Sequence, residues 1–203
     1  MTRRAAPDGA SDRRKRGVFM KLAVLFPGIG YTCDKPLLYY SRKLLEKQGW
    51  EVIPVSYTGF PSGVRGDPEK EALCIRIALE QAEEILKDID WNTCDNILFV
   101  GKSVGTVVGP RYAEEHSLTC RQVLFTPVEA TFRYAGKEAI AFHGTADPWA
   151  DTAVIREKCR QQGIPLYETE GANHSLETGH VMKDIRELEK VMKLVKEFVR
   201  GET

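Results

Sequence analysis

A chain of 203 residues, 42% of them hydrophobic, is long enough to bury one sizeable core and too apolar to be disordered throughout. Its 29 basic residues balance 29 acidic ones, which leaves no excess charge to hold a phosphate backbone or an anionic bilayer. No run approaches the roughly 18 apolar residues of a membrane span, and Cys33, Cys74, Cys94, Cys120 and Cys159 form no CxxC pair or zinc-ligand set, so they read as free thiols of a reducing cytoplasm.

The balance hides an asymmetry. Arg3, Arg4, Arg13, Arg14, Lys15 and Arg16 face only Asp8 and Asp12 within residues 1–19, a net +4 that residues 20–203 answer with −4. Composition marks 1–19 as a basic, disordered leader ahead of a single folded domain over 20–203. The apolar stretch 18–26 is broken by Lys21 and runs into Pro27-Gly28, so it is a strand rather than the core of a secretory signal.

From residue 21 onward short β-branched runs alternate with stretches of helical period, the pattern of a parallel sheet wrapped by helices. The first strand is expected over 22–26. A helix over 36–48 follows, with Asp34 as its cap and Leu37, Leu38, Tyr40, Leu44 and Leu45 on its apolar face. Strand two spans 51–57. A Gly/Pro-rich loop then leads to a helix over 69–88 whose buried stripe is Ile75, Ala78, Leu79, Ala82 and Ile85. Strand three, 96–100, is nearly all apolar, as a strand covered on both faces is. A helix over 104–116 and strand four over 122–126 come next. Residues 127–138 are too few for an inserted lid beside a crossover helix, so the site should stand open. Strand five (139–143), a helix (152–162), strand six (165–169) and a last helix (184–200) complete the domain, the last helix with a stripe of Ile185, Leu188, Met192, Val195 and Val199. Ligands of such sheets bind beyond the carboxyl ends of the strands, so the loops there carry the chemistry.

After strand three stands Gly101-Lys102-Ser103-Val104-Gly105, a G-x-S-x-G between a buried strand and a helix. A serine at so sharp a turn sits in strained backbone, and the flanking glycines remove side chains that would strike the neighbouring strand and helix. The hydroxyl is thereby exposed at the positive end of the helix. A serine needs a base, and the base an acid to hold its tautomer. Strand five ends in His143-Gly144-Thr145-Ala146-Asp147 and strand six leads to Gly171-Ala172-Asn173-His174, so Ser103, Asp147 and His174 lie on three loops of one edge in that chain order.

With these three motifs, residues 20–200 resemble the α/β-hydrolase superfamily. The resemblance implies a minimal, lidless fold: α/β, doubly wound, with a mostly parallel six-stranded sheet in the order 2-1-3-4-5-6 and helices on both faces. It implies Ser103 as nucleophile, His174 as base and Asp147 as orienting acid, and an oxyanion hole from the backbone N–H of Val104 and one from the loop Phe26-Pro27-Gly28-Ile29-Gly30-Tyr31, with Ile29 the first choice and Tyr31 the reserve. Where the family often has His-Gly, this chain has Pro27-Gly28. The activity implied is hydrolysis of a small soluble carboxylic ester, thioester or lactone through an acyl-enzyme, with no cofactor and no metal; the expected partner is a small-molecule acyl substrate, and the charge balance adds neither nucleic acid nor membrane. A ligand-binding or very slow relative, and an acyltransferase or peptidase using the same triad, are the competing readings.

Other residues admit plainer roles. His143 ends a strand and is expected to be a structural, hydrogen-bonded histidine. His116 and His180 read as surface residues. Glu129, after strand four, is the rival acid. Gly101-Lys102-Ser103 resembles the end of a phosphate-binding loop, but that motif needs glycine where Asn96 stands. Gly28-Ile29-Gly30 starts a dinucleotide fingerprint whose third glycine would be Cys33. Gly28, Tyr31, Lys102, Phe60, Glu129 and Trp149 are the candidates to line the substrate site, the aromatics doubling as packing.

Overall fold

A computed structural model of the chain describes residues 20–201; the basic segment 1–19 lies outside the described residues. Six strands, β1 (Lys21–Phe26), β2 (Glu51–Pro54), β3 (Asn96–Lys102), β4 (Arg121–Phe125), β5 (Ala139–Gly144) and β6 (Leu166–Thr169), form one sheet in the order β2-β1-β3-β4-β5-β6. Every neighbouring pair is parallel. Five helices cover it: α1 (Pro36–Lys47), α2 (Pro68–Leu86), α3 (Gly105–Glu115), α4 (Thr152–Gln162) and α5 (Val181–Arg200).

Side-chain alternation along the strands divides the core between the two faces. Leu25, Val100, Phe125 and Phe142 pack on one face with Leu38 and Leu45 of α1 and Val195 and Val199 of α5. On the other face Val24 and Phe99 meet α2 and α3 through Ala78, Ala82 and Val108, while Leu124 and Ala141 meet α4 through Ile155 and Cys159. No helix among the described residues is long and apolar enough to cross a membrane. Between β4 and β5 there is only a 3₁₀ turn, Glu129–Arg133, so no lid is inserted there.

Several details depart from the sequence-based expectations. Strand β2 stops at Pro54 rather than at residue 57, after which the Val55 N–H still reaches Leu25 O at 2.9 Å before the chain turns away. Asp34 does not cap α1; it pairs with Arg42 at 3.5 Å, and the Tyr31 hydroxyl instead accepts the Leu37 N–H of the first turn at 3.0 Å. Tyr40 is exposed, and Ser41 takes the buried place on α1. The buried stripe of α2 is Cys74, Ala78, Leu79, Ala82 and Leu86, with Ile85 exposed. Helix α5 starts at Val181, one turn early, and contacts the core through Val191, Val195, Phe198 and Val199 while Ile185 is exposed.

Candidate active site

The carboxyl edge of the sheet is shaped by what glycines leave out. A Cβ on Gly105 would lie 2.0 Å from Phe26 O, and one on Gly101 would lie 2.6 Å from Gly105 O, so α3 can press against β1 only with both glycines in place. Between them Ser103 adopts φ 56°, in the left-handed region that side chains disfavour. Its N–H is held by Phe125 O at 3.0 Å, and its carbonyl receives the Thr106 hydroxyl at 2.6 Å. Strain at one residue is thus held by backbone and side-chain bonds on both sides.

The acid and histidine loops are brought together in the same manner. A Cβ on Gly144 would stand 2.4 Å from Ala172 O, and the Ala146 N–H donates to that same oxygen at 2.9 Å. Asn173 Oδ1 accepts the N–H groups of Ser175 and Glu177, which folds the histidine loop back on itself.

These constraints converge on a line of hydrogen bonds. The Ser103 hydroxyl lies 2.8 Å from His174 Nε2, and His174 Nδ1 lies 2.6 Å from Asp147 Oδ2. With the Nδ1–H donated to the carboxylate, Nε2 is the acceptor of the serine proton. Asp147 Oδ1 accepts the Trp149 N–H at 2.8 Å, and the Trp149 ring stacks on His174 with centroids 5.4 Å apart. Burial holds His174 below the usual imidazole value of 6.5; its bond to Asp147 works against this, and the nearby Lys102 charge adds to it. His143 is fully buried, with Nε2 2.9 Å from the Thr152 hydroxyl and Nδ1, without a hydrogen bond, 3.9 Å from Asp147 Oδ2. Burial pushes its pKa down as well.

The remaining candidates fall as follows. Val104 is the N-terminal cap of α3, next to Ser103, a position whose amide has no acceptor within the helix. In the β1 loop, Gly28 N–H donates to Tyr31 O at 3.1 Å and Tyr31 N–H to Gly28 O at 3.3 Å. Tyr31's amide is therefore engaged, which removes the reserve oxyanion donor, while that of Ile29 stays outside the pair. A Cβ on Gly28 would come within 3.1 Å of the Ser103 Cβ. Glu129 sits exposed at the start of the 3₁₀ turn, and Asp147, not Glu129, meets His174. Phe60 lines a cavity beside Gly28. Burial pushes the Cys33 thiol up to about 12, the mark of an unreactive cysteine.

Lys102 is the residue whose surroundings sequence reasoning missed. It is 3% exposed, its ammonium sits 5.0 Å from the centre of the Tyr31 ring, and burial lowers its pKa to about 7 against a weaker opposing pull from Asp147. A lysine at the last position of an apolar strand, on the parity of Leu98 and Val100, is the signal that could have placed it.

No family model matches the chain, and neither does any curated protein sequence. Solved structures do. The chain is similar to an esterase of Pyrococcus furiosus, Pf2001, at 16% identity and a TM-score of 0.63 over 90% of this chain and 83% of that one. It is similar to Est1E of Butyrivibrio proteoclasticus, solved with ferulic acid bound, at 15% identity and a TM-score of 0.65 over 90% and 89%. The lidless α/β serine hydrolase XC6422 of Xanthomonas campestris aligns at 15% identity and a TM-score of 0.58 over 89% and 81%. The chain thus has an α/β-hydrolase fold.

Proposed function

We propose that this protein is a serine hydrolase that cleaves small soluble carboxylic esters, thioesters or lactones through an acyl-enzyme. The observation that carries the reading is the unbroken line from Asp147 through His174 to a strained Ser103, at 2.6 and 2.8 Å. In the first half-reaction the Ser103 oxygen attacks the acyl carbonyl while its proton passes to His174 Nε2. Asp147 keeps Nδ1 protonated and stabilises the imidazolium. His174 then gives the proton to the leaving alcohol or thiol, and in the second half-reaction it deprotonates water, which attacks the acyl-enzyme and regenerates the serine.

The negative charge that develops on the substrate oxygen needs donors already in place. The Val104 and Ile29 N–H groups fill that role in this reading, each worth about 3 kcal/mol in the transition state. Likeness to esterases of the same fold supports ester chemistry, and the open edge without a lid favours short soluble acyl groups over long lipid tails, which need cover. A fluorophosphonate probe tests the assignment: the expected result is modification of Ser103 in the wild-type protein and none in Ser103→Ala, and labelling that survives the substitution rejects it. Turnover of p-nitrophenyl and thioester substrates should accompany labelling; a labelled serine with no turnover on any of them would make the protein a receptor.

A further inference from the structure

Asp147 has a second histidine behind it. His143 stands near the end of β5, on the parity of Ala139 and Ala141, which pack against α4, and none of its surface reaches solvent. Its two ring nitrogens are in different conditions. Nε2 lies 2.9 Å from the hydroxyl of Thr152, the first residue of α4, whereas Nδ1 is buried, without a hydrogen-bond partner, and 3.9 Å from Asp147 Oδ2.

The carboxylate that Nδ1 faces has room for another donor. Asp147 has no exposed side-chain surface; Oδ1 accepts the Trp149 N–H at 2.8 Å and Oδ2 accepts His174 Nδ1–H at 2.6 Å. An ionised carboxylate offers about four acceptor sites, and burial makes each unmet one costly, so a donor dipole beside it is stabilising. Whether His143 is that donor depends on its tautomer, which Thr152 decides. The Thr152 hydroxyl has one hydrogen and two acceptors in reach, His143 Nε2 at 2.9 Å and Thr145 O at 3.4 Å. The shorter contact is the stronger, so the hydroxyl donates to Nε2. A neutral imidazole that accepts at Nε2 carries its hydrogen on Nδ1. The other tautomer would set a nitrogen lone pair against a buried carboxylate, a repulsive pairing that low dielectric magnifies.

We propose that His143 is a positioning residue of the triad: Thr152 fixes its tautomer, and its Nδ1–H faces Asp147 Oδ2 and holds that carboxylate ionised and turned to His174. The proposal rests on the reading of Asp147 and His174 as acid and base. At 3.9 Å the interaction is that of a dipole with a charge, weaker than a full hydrogen bond. Burial, against the pull of Asp147, pushes the His143 pKa down, so the ring acts as a neutral dipole and not as a cation. The other charges that bear on it are Glu168, paired with Arg156 at 2.8 Å, and Asp151, whose carboxylate caps α4. On His174 the groups that bear are Asp147, Lys102 and His143 itself.

Two substitutions separate the two nitrogens, because an asparagine amide reaches the place of Nδ1 and a glutamine amide that of Nε2. His143→Gln keeps the bond to Thr152 and loses the donor toward Asp147; kcat on a p-nitrophenyl ester should fall about tenfold, the size of one modest interaction with a charged group. KM should not change, since His143 has no surface with which to meet substrate. His143→Asn restores the donor, and its kcat should stay within about threefold of wild type. In His143→Gln the acid limb of kcat/KM should also begin at higher pH, because a carboxylate that loses a donor is a stronger base toward His174 and the ring no longer opposes its protonation. Equal losses in the two variants, a greater loss in His143→Asn, or an acid limb unmoved in His143→Gln overturns the proposal. Imidazole nitrogen NMR of the wild-type protein reads the tautomer without substitution or turnover: hydrogen on His143 Nδ1 is expected, and hydrogen on Nε2 alone overturns the proposal even if neither variant folds. If Ser103 resists the fluorophosphonate while His143 carries Nδ1–H and His143→Gln raises the pKa of His174 in the same spectra, the hydrolase reading falls and the role of His143 toward Asp147 stands. If Ser103 is labelled and His143 carries its hydrogen on Nε2, the reverse holds.

Discussion

Ser103 and Lys102 are consecutive residues at the end of β3, and they mark two regions of the same edge built on opposite principles. Around Ser103 each polar group of the line has its partner: hydroxyl to imidazole, imidazole to carboxylate, carboxylate to the Trp149 amide. Around Lys102 an ammonium is buried against an aromatic ring. The first arrangement stabilises itself by matched hydrogen bonds, whereas the second desolvates a charge and offsets only part of that cost with a cation–π contact. A fold that retains such a residue gives up stability there, and the difference between the two neighbours is a measurable one.

The comparison breaks hardest at Ser103, the nucleophile of the proposed reaction. Ser103→Ala should lower turnover of an ester substrate about a millionfold, because base and acid have no role without the hydroxyl. Steady-state assays read this, and a loss under tenfold would move the chemistry elsewhere. Asp147→Asn is next, with turnover down about ten-thousandfold, since the amide holds His174 in the wrong tautomer while leaving the packing intact. Thermal melting should show that variant folded, which separates loss of chemistry from loss of structure.

Lys102→Met sharpens the comparison from the other side, because it should stabilise the protein. The lysine loses its proton near pH 7 when folded and near 10.5 when unfolded. Between those values the unfolded chain binds a proton that the folded one does not, so stability rises with pH across that window and the penalty is fully present below it. Met keeps the apolar stem and removes the charge, so a gain of about 2–5 kcal/mol at pH 7 is expected from the shift. Denaturant titration at pH 7 and pH 10 should show a gap between variant and wild type that narrows at the higher pH.

The same substitution has a smaller, separate effect on catalysis. The Lys102 charge helps hold the pKa of His174 down, and in the acid range it is present. Wild-type kcat/KM should therefore persist below pH 6.5 before it falls as His174 takes up its proton, and in Lys102→Met that fall should begin at higher pH. An acid limb that stays in place would mean that the lysine serves packing alone.

How much of this was legible in the sequence follows the same division. The elbow, the acid loop and the histidine loop were readable because each combines a strand end with glycine, and at Gly105 against Phe26 and Gly144 against Ala172 the backbone comes so close that only glycine fits. The sheet order and the short β4–β5 connection were readable for related reasons of length and pattern. What could not be read was rotation and partnership. Ile85 and Ile185 fit the helical period as well as the residues that are buried instead, because period alone does not fix which side of a stripe meets the sheet. Lys102 looked like a polar residue in a motif, and Asp34 like a cap, because the decisive neighbours, Tyr31 and Arg42, lie on other elements.

Tyr31 gives the finest test, since it serves both kinds of region at once. Its ring lies beneath the Lys102 ammonium, while its hydroxyl accepts the otherwise unmatched Leu37 N–H at the start of α1, at 3.0 Å. Tyr31→Phe keeps the ring and removes the acceptor. A buried amide then loses its partner, and stability should drop by about 1–2 kcal/mol while the acid limb of the rate profile stays where it was. Tyr31→Leu removes both, so it should lose more stability and also change the environment of the ammonium that bears on His174. If the two variants shifted the acid limb equally, the ring would have no part in holding the lysine, and the contrast between Ser103 and Lys102 would reduce to burial alone.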